Sequence, residues 1–99
     1  MLMHATSSGA IATTAGSQVV ALESYVTDVQ LLSNGTAAAT MQVYDGTSTS
    51  GVLVASLTVP ASTIQGTFQP FNIPVCCNKG IFVVVTGTGA QGIVHYVAS

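Results

Sequence analysis

Apolar and polar side chains alternate along much of this chain with a period of two, the pattern of strands half-buried against a core. It is clearest from Val52 to Pro60, where Leu53, Ala55, Leu57 and Val59 share one side and Val54, Ser56 and Thr58 the other. Pro60 has no N–H to give to a ladder, so the strand ends there or lies at a sheet edge. Thr40 to Asp45 repeats the alternation, with Met41 and Val43 inward and Thr40, Gln42 and Tyr44 outward. Thr63 to Phe71 predicts a further strand with Ile64 and Phe68 inward, and Gln91 to Val97 predicts the last. Ile81-Phe82-Val83-Val84-Val85-Thr86 is apolar on both faces. That predicts a central strand covered on each side, or one whose outer face meets another subunit.

Turn residues separate these runs at intervals of roughly 8–12 residues, the spacing of a sandwich or barrel. Asn34-Gly35 is a strong hairpin signal because both positions tolerate positive φ. Asp45-Gly46 supplies the next turn, and Gly87-Thr88-Gly89-Ala90 predicts a hairpin tip before the final strand. Between Ser17 and Ser33, Val19, Leu22, Val26 and Val29 fall at helical spacing. The β-branched content, Tyr25 and the turn that follows favour instead one long strand, or two joined by a bulge near Glu23-Ser24. The first sixteen residues are small and polar, with Gly9 and Gly16 bracketing Ile11. The pattern therefore predicts one all-β domain, a single small antiparallel β-sandwich of jelly-roll or Ig-like type over residues 17–99. An N-terminal arm or short strand, residues 1–16, precedes it.

Composition adds a constraint on what this domain meets. Lys, Arg, Asp and Glu together make 4% of the 99 residues while hydrophobic residues make 48%; an ordinary soluble protein carries about 25% charged residues. With a net charge of only −2, little keeps separate copies apart, so much of the surface is expected to lie against a partner. Lys79 is the sole basic side chain. Nucleic-acid binding runs on neutralisation of phosphates by Lys and Arg, so no DNA or RNA partner is expected, and a polybasic membrane footprint is missing too. No apolar run approaches the roughly 20 residues of a membrane span. Met1 to Thr6 has neither the basic nor the apolar region of a signal peptide, so a cytosolic origin with reduced thiols is expected. Cys76 and Cys77 are adjacent and poorly disposed to bridge each other; they read as two small apolar residues near a strand end.

Residues able to do chemistry are few: His4, His95, Glu23, Asp28, Asp45, Cys76, Cys77, Tyr25, Tyr44 and Tyr96. A nucleophilic triad needs a base oriented by an acid beside a nucleophile. His95, between Val94 and Tyr96, lies in no Gly-x-Ser-x-Gly context and is expected to be structural. No ligand spacing suits a zinc site, and Asp45-Gly46-Thr47 reads as a turn rather than a calcium loop. Asn34-Gly35-Thr36 matches a glycosylation sequon, which the turn explains by itself. The glycines form no strand–loop–helix phosphate cradle. No catalytic, cofactor-binding or metal residue is therefore expected, and the chain is not expected to be an enzyme.

Met41-Gln42-Val43-Tyr44-Asp45-Gly46-Thr47, then Gly51-Val52-Leu53-Val54-Ala55 and Leu57-Thr58-Val59-Pro60-Ala61, resemble a pattern in small virion proteins of tailed bacteriophages. Phe71-Asn72-Ile73-Pro74 and Asn78-Lys79-Gly80-Ile81-Phe82-Val83-Val84-Val85-Thr86-Gly87 continue it, so the resemblance spans most of Ser17 to Val97. The paired cysteines depart from that pattern. The resemblance implies a non-enzymatic β-sandwich acting as a capsid decoration or cement subunit between capsomers. Its implied partners are the major capsid protein and copies of itself, with a trimer favoured, in the virion and, during assembly, the host cytoplasm. The competing expectation is a carbohydrate- or receptor-binding module of a tail fibre or spike. Against that, Trp is absent and all three tyrosines fall in predicted strands.

Overall fold

A computed structural model describes residues 5–61 and 66–98. Among the described residues nine strands run in chain order: β1 (Thr6–Ser7), β2 (Ile11–Ala12), β3 (Thr14–Val20), β4 (Ser24–Leu32), β5 (Ala39–Asp45), β6 (Val52–Val59), β7 (Gly66–Cys77), β8 (Ile81–Thr86) and β9 (Gln91–Ala98). The first sheet has the order β1-β9-β4-β7, with β2 also pairing on β9, and the second the order β3-β8-β5-β6; every pairing is antiparallel. The chain is thus folded back about the β5–β6 turn. β6 lies on β5, β7 on β4, β8 on β3 and β9 on β1 and β2, and the doubled ribbon is wrapped into two facing sheets. That is the jelly-roll form of the antiparallel sandwich.

The core is the layer between the sheets. Val26, Val29, Leu31 and Val94 from the first sheet meet Met41, Val43, Val59, Ile81, Val83 and Val85 from the second, all fully buried. Alternation along β5 and β8 delivers these side chains as the period of two requires. Ser24 is the fully buried polar residue, and its hydroxyl donates to the Leu22 carbonyl at 3.2 Å. Where the sheets come closest, a glycine makes room: a Cβ on Gly92 of β9 would sit 3.0 Å from Met41 Sδ and from Val85 Cγ2.

Several sequence expectations change. Ser17 to Ser33 holds two strands, not a helix or one long strand, but no bulge joins them: the chain leaves β3 in the second sheet and crosses to β4 in the first through residues 21–23. Asn34-Gly35 likewise joins strands of different sheets. Its local chemistry is the expected one, with Gly35 at φ +86° and the Asn34 Oδ1 accepting from the Thr36 amide at 2.9 Å, but no hairpin results. Gly87 to Ala90 is also a crossing between sheets, from β8 to β9, and not a hairpin tip. Only the Asp45-Gly46 turn joins paired neighbours, β5 and β6.

Phe68 points outward, not inward. The β4–β7 register sets Thr67 opposite Leu31 and Gln69 opposite Val29, so Phe68 shares the outer face with Gln30. Ile64 and Thr63 lie outside the described residues. In β6 a one-residue irregularity at Val54, between the pairs Val43–Ala55 and Tyr44–Leu53, leaves Leu57 and Val59 inside but turns Leu53 out. β8 is central, as its composition implies, and its outer side chains Phe82 and Val84 are half-buried. The Phe82 ring lies over Gly16, where a Cβ would meet it at 2.3 Å. The chain's own neighbours therefore take up part of that outer face. Within residues 1–16, β1 and β2 pair with β9 along the margin of the first sheet.

Candidate interaction surface

The outer face of the first sheet carries Phe68 and Ile73, two of the large apolar side chains that stand exposed, while Val52 and Leu53 are exposed on β6 of the second sheet. Register places Val97, Tyr25 and Cys76 in one row, Ser7, His95, Asp28 and Pro70 in the next, and Ile93, Gln30 and Phe68 beyond it. The face is widened at one end by β7. Between Val75, opposite Val26, and Pro70, opposite Asp28, the residues Phe71, Asn72, Ile73 and Pro74 stand against Thr27 alone. Prolines in β7 are tolerated because it is an edge strand. The excursion turns Phe71 back onto the core and leaves Ile73 83% exposed. Tyr25, Ile73, Pro74 and Val97 then line a shallow apolar hollow of about 460 Å³. Leu22, in the crossing before β4, adds another exposed apolar side chain at this end of the sandwich.

An acid–base pair crosses the same face. His95 Nδ1 lies 2.5 Å from Asp28 Oδ1, joining β9 to β4, and the Thr27 hydroxyl donates to the His95 carbonyl at 3.1 Å. Ser7 is opposite His95 in register, so a serine, a histidine and an aspartate share one row. The Ser7 hydroxyl, however, accepts from the Gly9 amide at 3.0 Å, and the row lies across an open sheet face. The chemistry it supports directly is cross-strand fastening. The Asp28–His95 pair was not legible in sequence because its members are separated by most of the chain; strand order alone brings them together. His4 lies outside the described residues.

The other candidates are scattered. Asp45 Oδ1 accepts from the Lys79 amide at 2.9 Å, tying the β7–β8 connection to the end of β5. Beside them the 46–51 turn frames a small polar depression of about 260 Å³. Tyr44 donates to Gln42 Oε1 at 2.9 Å on the outer face of the second sheet, and Tyr96 packs against the core. Among the described residues no three of His, Cys, Asp and Glu come close enough to hold a metal ion together.

The adjacent cysteines point to opposite faces, as neighbours in a strand must. Cys76 is exposed, with its thiol 3.3 Å from Asn78 Oδ1 and 3.9 Å from Glu23 Oε2, while Cys77 is fully buried; both are free thiols. The Tyr25 phenol is held above its ordinary value, chiefly by the negative charge of an ionised Cys76 beside it and then by Glu23. Burial, then the charge of Asp45, pushes the Cys77 thiol from 9.0 up to about 11. Ellman's reagent is therefore expected to titrate one thiol in the folded protein and two in denaturant; two fast thiols under native conditions would contradict the burial of Cys77. A raised folded-state value also means that the folded chain holds this proton longer than the unfolded chain. The stability it contributes is complete below pH 9.0 and is lost as pH rises towards about 11. Urea midpoints across that window should fall more steeply for the native sequence than for Cys77→Ala, each compared with its own value at neutral pH.

The fold is an antiparallel jelly-roll sandwich with a nearly uncharged surface that exposes several large apolar side chains. No protein-family model, curated protein or solved structure matches the chain.

Proposed function

We propose that this chain is a non-enzymatic structural subunit of a virion, of the capsid decoration or cement kind, which associates with copies of itself and with the major capsid protein. The observation that carries this reading is the outer face of the first sheet. It exposes Ile73 and Phe68 beside the half-buried Tyr25 and Val97, and it carries the Asp28–His95 pair. Large apolar side chains left exposed on one sheet face are characteristic of contact with a protein partner. The jelly roll is a recurrent fold of viral shell proteins, and the sequence resembles small virion proteins of tailed phages over most of its length. An apolar contact with few charges has little electrostatic component for salt to screen.

The test is sedimentation of the purified chain at low and high salt, alone and with empty shells of a tailed-phage major capsid protein from the same source. The expected result is a homo-oligomer that salt does not dissociate, and saturable binding to shells at a fixed ratio of chain to capsid subunit. Failure to bind shells would sink the capsid reading, and dissociation on adding salt would sink the apolar contact.

A further inference from the structure

Among the described residues four strand margins are open in this sandwich, and three of them are blunted. In the first sheet, β7 carries Pro70 and Pro74 and the Phe71–Pro74 excursion, while the opposite margin is broken into the two-residue strands β1 and β2. In the second sheet, β3 is irregular in two places, between Thr14 and Ser17 and between Gln18 and Val20. The Gln18 side-chain amide lies within hydrogen-bond distance of the carbonyls of Val20, Gly46 and Ile81 at 2.8–3.1 Å, fastening β3 to the end of its sheet. Prolines, bulges, short strands and charges are the devices by which sheet edges avoid pairing with another chain.

β6 has almost none of them. It runs from Val52 to Val59 without a proline or a charged residue, its sole irregularity lies at Val54, and among the described residues it pairs only with β5. Ala55 to Val59 is a regular stretch whose second side of N–H and C=O groups faces away from the sandwich. We infer that β6 is an assembly edge that pairs antiparallel with β6 of a second copy, making one continuous sheet of the two second sheets.

The sequence of β6 suits a self-pair. Over Ala55 to Val59 the inward side chains Ala55, Leu57 and Val59 lengthen the core row across the junction, and the outward Ser56 and Thr58 are small and neutral, while Val52 and Leu53 stand exposed at the start of the strand. No like charges meet in any antiparallel register, because the strand has none. Two-fold pairing uses the edge on both copies and so closes, whereas head-to-tail pairing would propagate. A foreign strand would meet the same backbone groups, but every copy of the chain carries its own complementary edge. The inference rests on the proposed self-association, and replaces the trimer that the resemblance implied with a dimer through β6.

Ser56→Lys and Thr58→Lys test it. Both positions are exposed, so a lysine fits the monomer, but near a two-fold it faces its own copy. The native chain should sediment at twice the chain mass, and each variant should raise the dissociation constant by about tenfold or more, with unchanged far-UV circular dichroism. Amide hydrogen exchange in Ala55 to Val59 should quicken on dilution of the native chain and not in the variants. A native monomer at every concentration overturns both the edge and the self-association. An oligomer that ignores both lysines but dissociates with Ile73→Lys overturns the edge alone and leaves self-association standing.

Discussion

Replacing Gly80 or Gly87 with alanine is expected to destabilise the fold by on the order of 3 kcal/mol each, the upper part of the range for a forced backbone conformation. The two glycines bracket β8, and each lies against a crossing between the sheets. Gly80 has φ +122°, and a Cβ there would fall 2.4 Å from the Val20 carbonyl oxygen and 3.0 Å from Ala21 Cα. Gly87 has φ +110°, and its Cβ would fall 2.5 Å from the Ala38 carbonyl oxygen and 2.9 Å from Ala39 Cα. The obstructing atoms are backbone, which no side-chain rotation clears. Gly9 is the control: its φ is +72°, yet nothing lies within 4 Å of its Cβ position. Gly9→Ala should cost only the ordinary left-handed penalty of about 1–2 kcal/mol. Urea unfolding of the three variants decides the matter. If the Gly80 and Gly87 variants lose no more than the Gly9 variant, the close approach of the crossings is wrong.

Met41→Ala is expected to cost about 2–5 kcal/mol, the range for emptying a fully buried site of that size. Met41 is completely enclosed, and its sulfur and methyl occupy the space over Gly92, 3.0 and 3.1 Å from where a Cβ would stand. The two positions share one volume, so their effects should not add. Gly92→Ala alone forces Met41 to shift and should destabilise. In the Met41→Ala background the same alanine fills part of the vacated space and should cost less, with a coupling of about 1 kcal/mol in the favourable direction. Additive losses in a double-mutant cycle would show that Met41 and Gly92 do not meet.

Much of the strand content was legible because alternation is local. Met41 and Val43 had to face inward once Thr40, Gln42 and Tyr44 faced out, and β8, apolar on both faces, had to be central or meet another subunit; it is central. The connections were not legible in the same way. Asn34-Gly35 and Gly87 to Ala90 have hairpin chemistry, and Gly35 and Gly87 do take positive φ. Yet a positive-φ turn fixes only the direction in which the chain leaves; which sheet accepts the next strand depends on where its apolar side can be buried. Phe68 and Leu53 were misplaced for a related reason. A single shift of register exchanges the faces of a strand, and neither the Val54 irregularity nor the β4–β7 pairing carries a local signature. The exposed face of the first sheet inherits this difficulty. Its apolar rows and the Asp28–His95 pair are products of strand order, assembled from residues that no window of sequence contains.

The winding of the ribbon about the β5–β6 turn has a consequence for how the protein comes to exist on a ribosome. Of all its pairings, only β5 with β6 joins strands that leave the exit tunnel consecutively. β4 waits for β7, β3 for β8, and β1 and β2 for β9, which also completes the second side of β4. Each loop closed is longer than the one before, at an entropic cost that grows only with the logarithm of its length, but pairing across such separations is slow. Synthesis therefore runs almost to β9 with β1, β2 and one side of β4 unsatisfied, in a chain whose 4% charge does little to hold nascent copies apart. On a polysome, neighbouring chains would offer one another open β6 edges before either had closed its own sandwich.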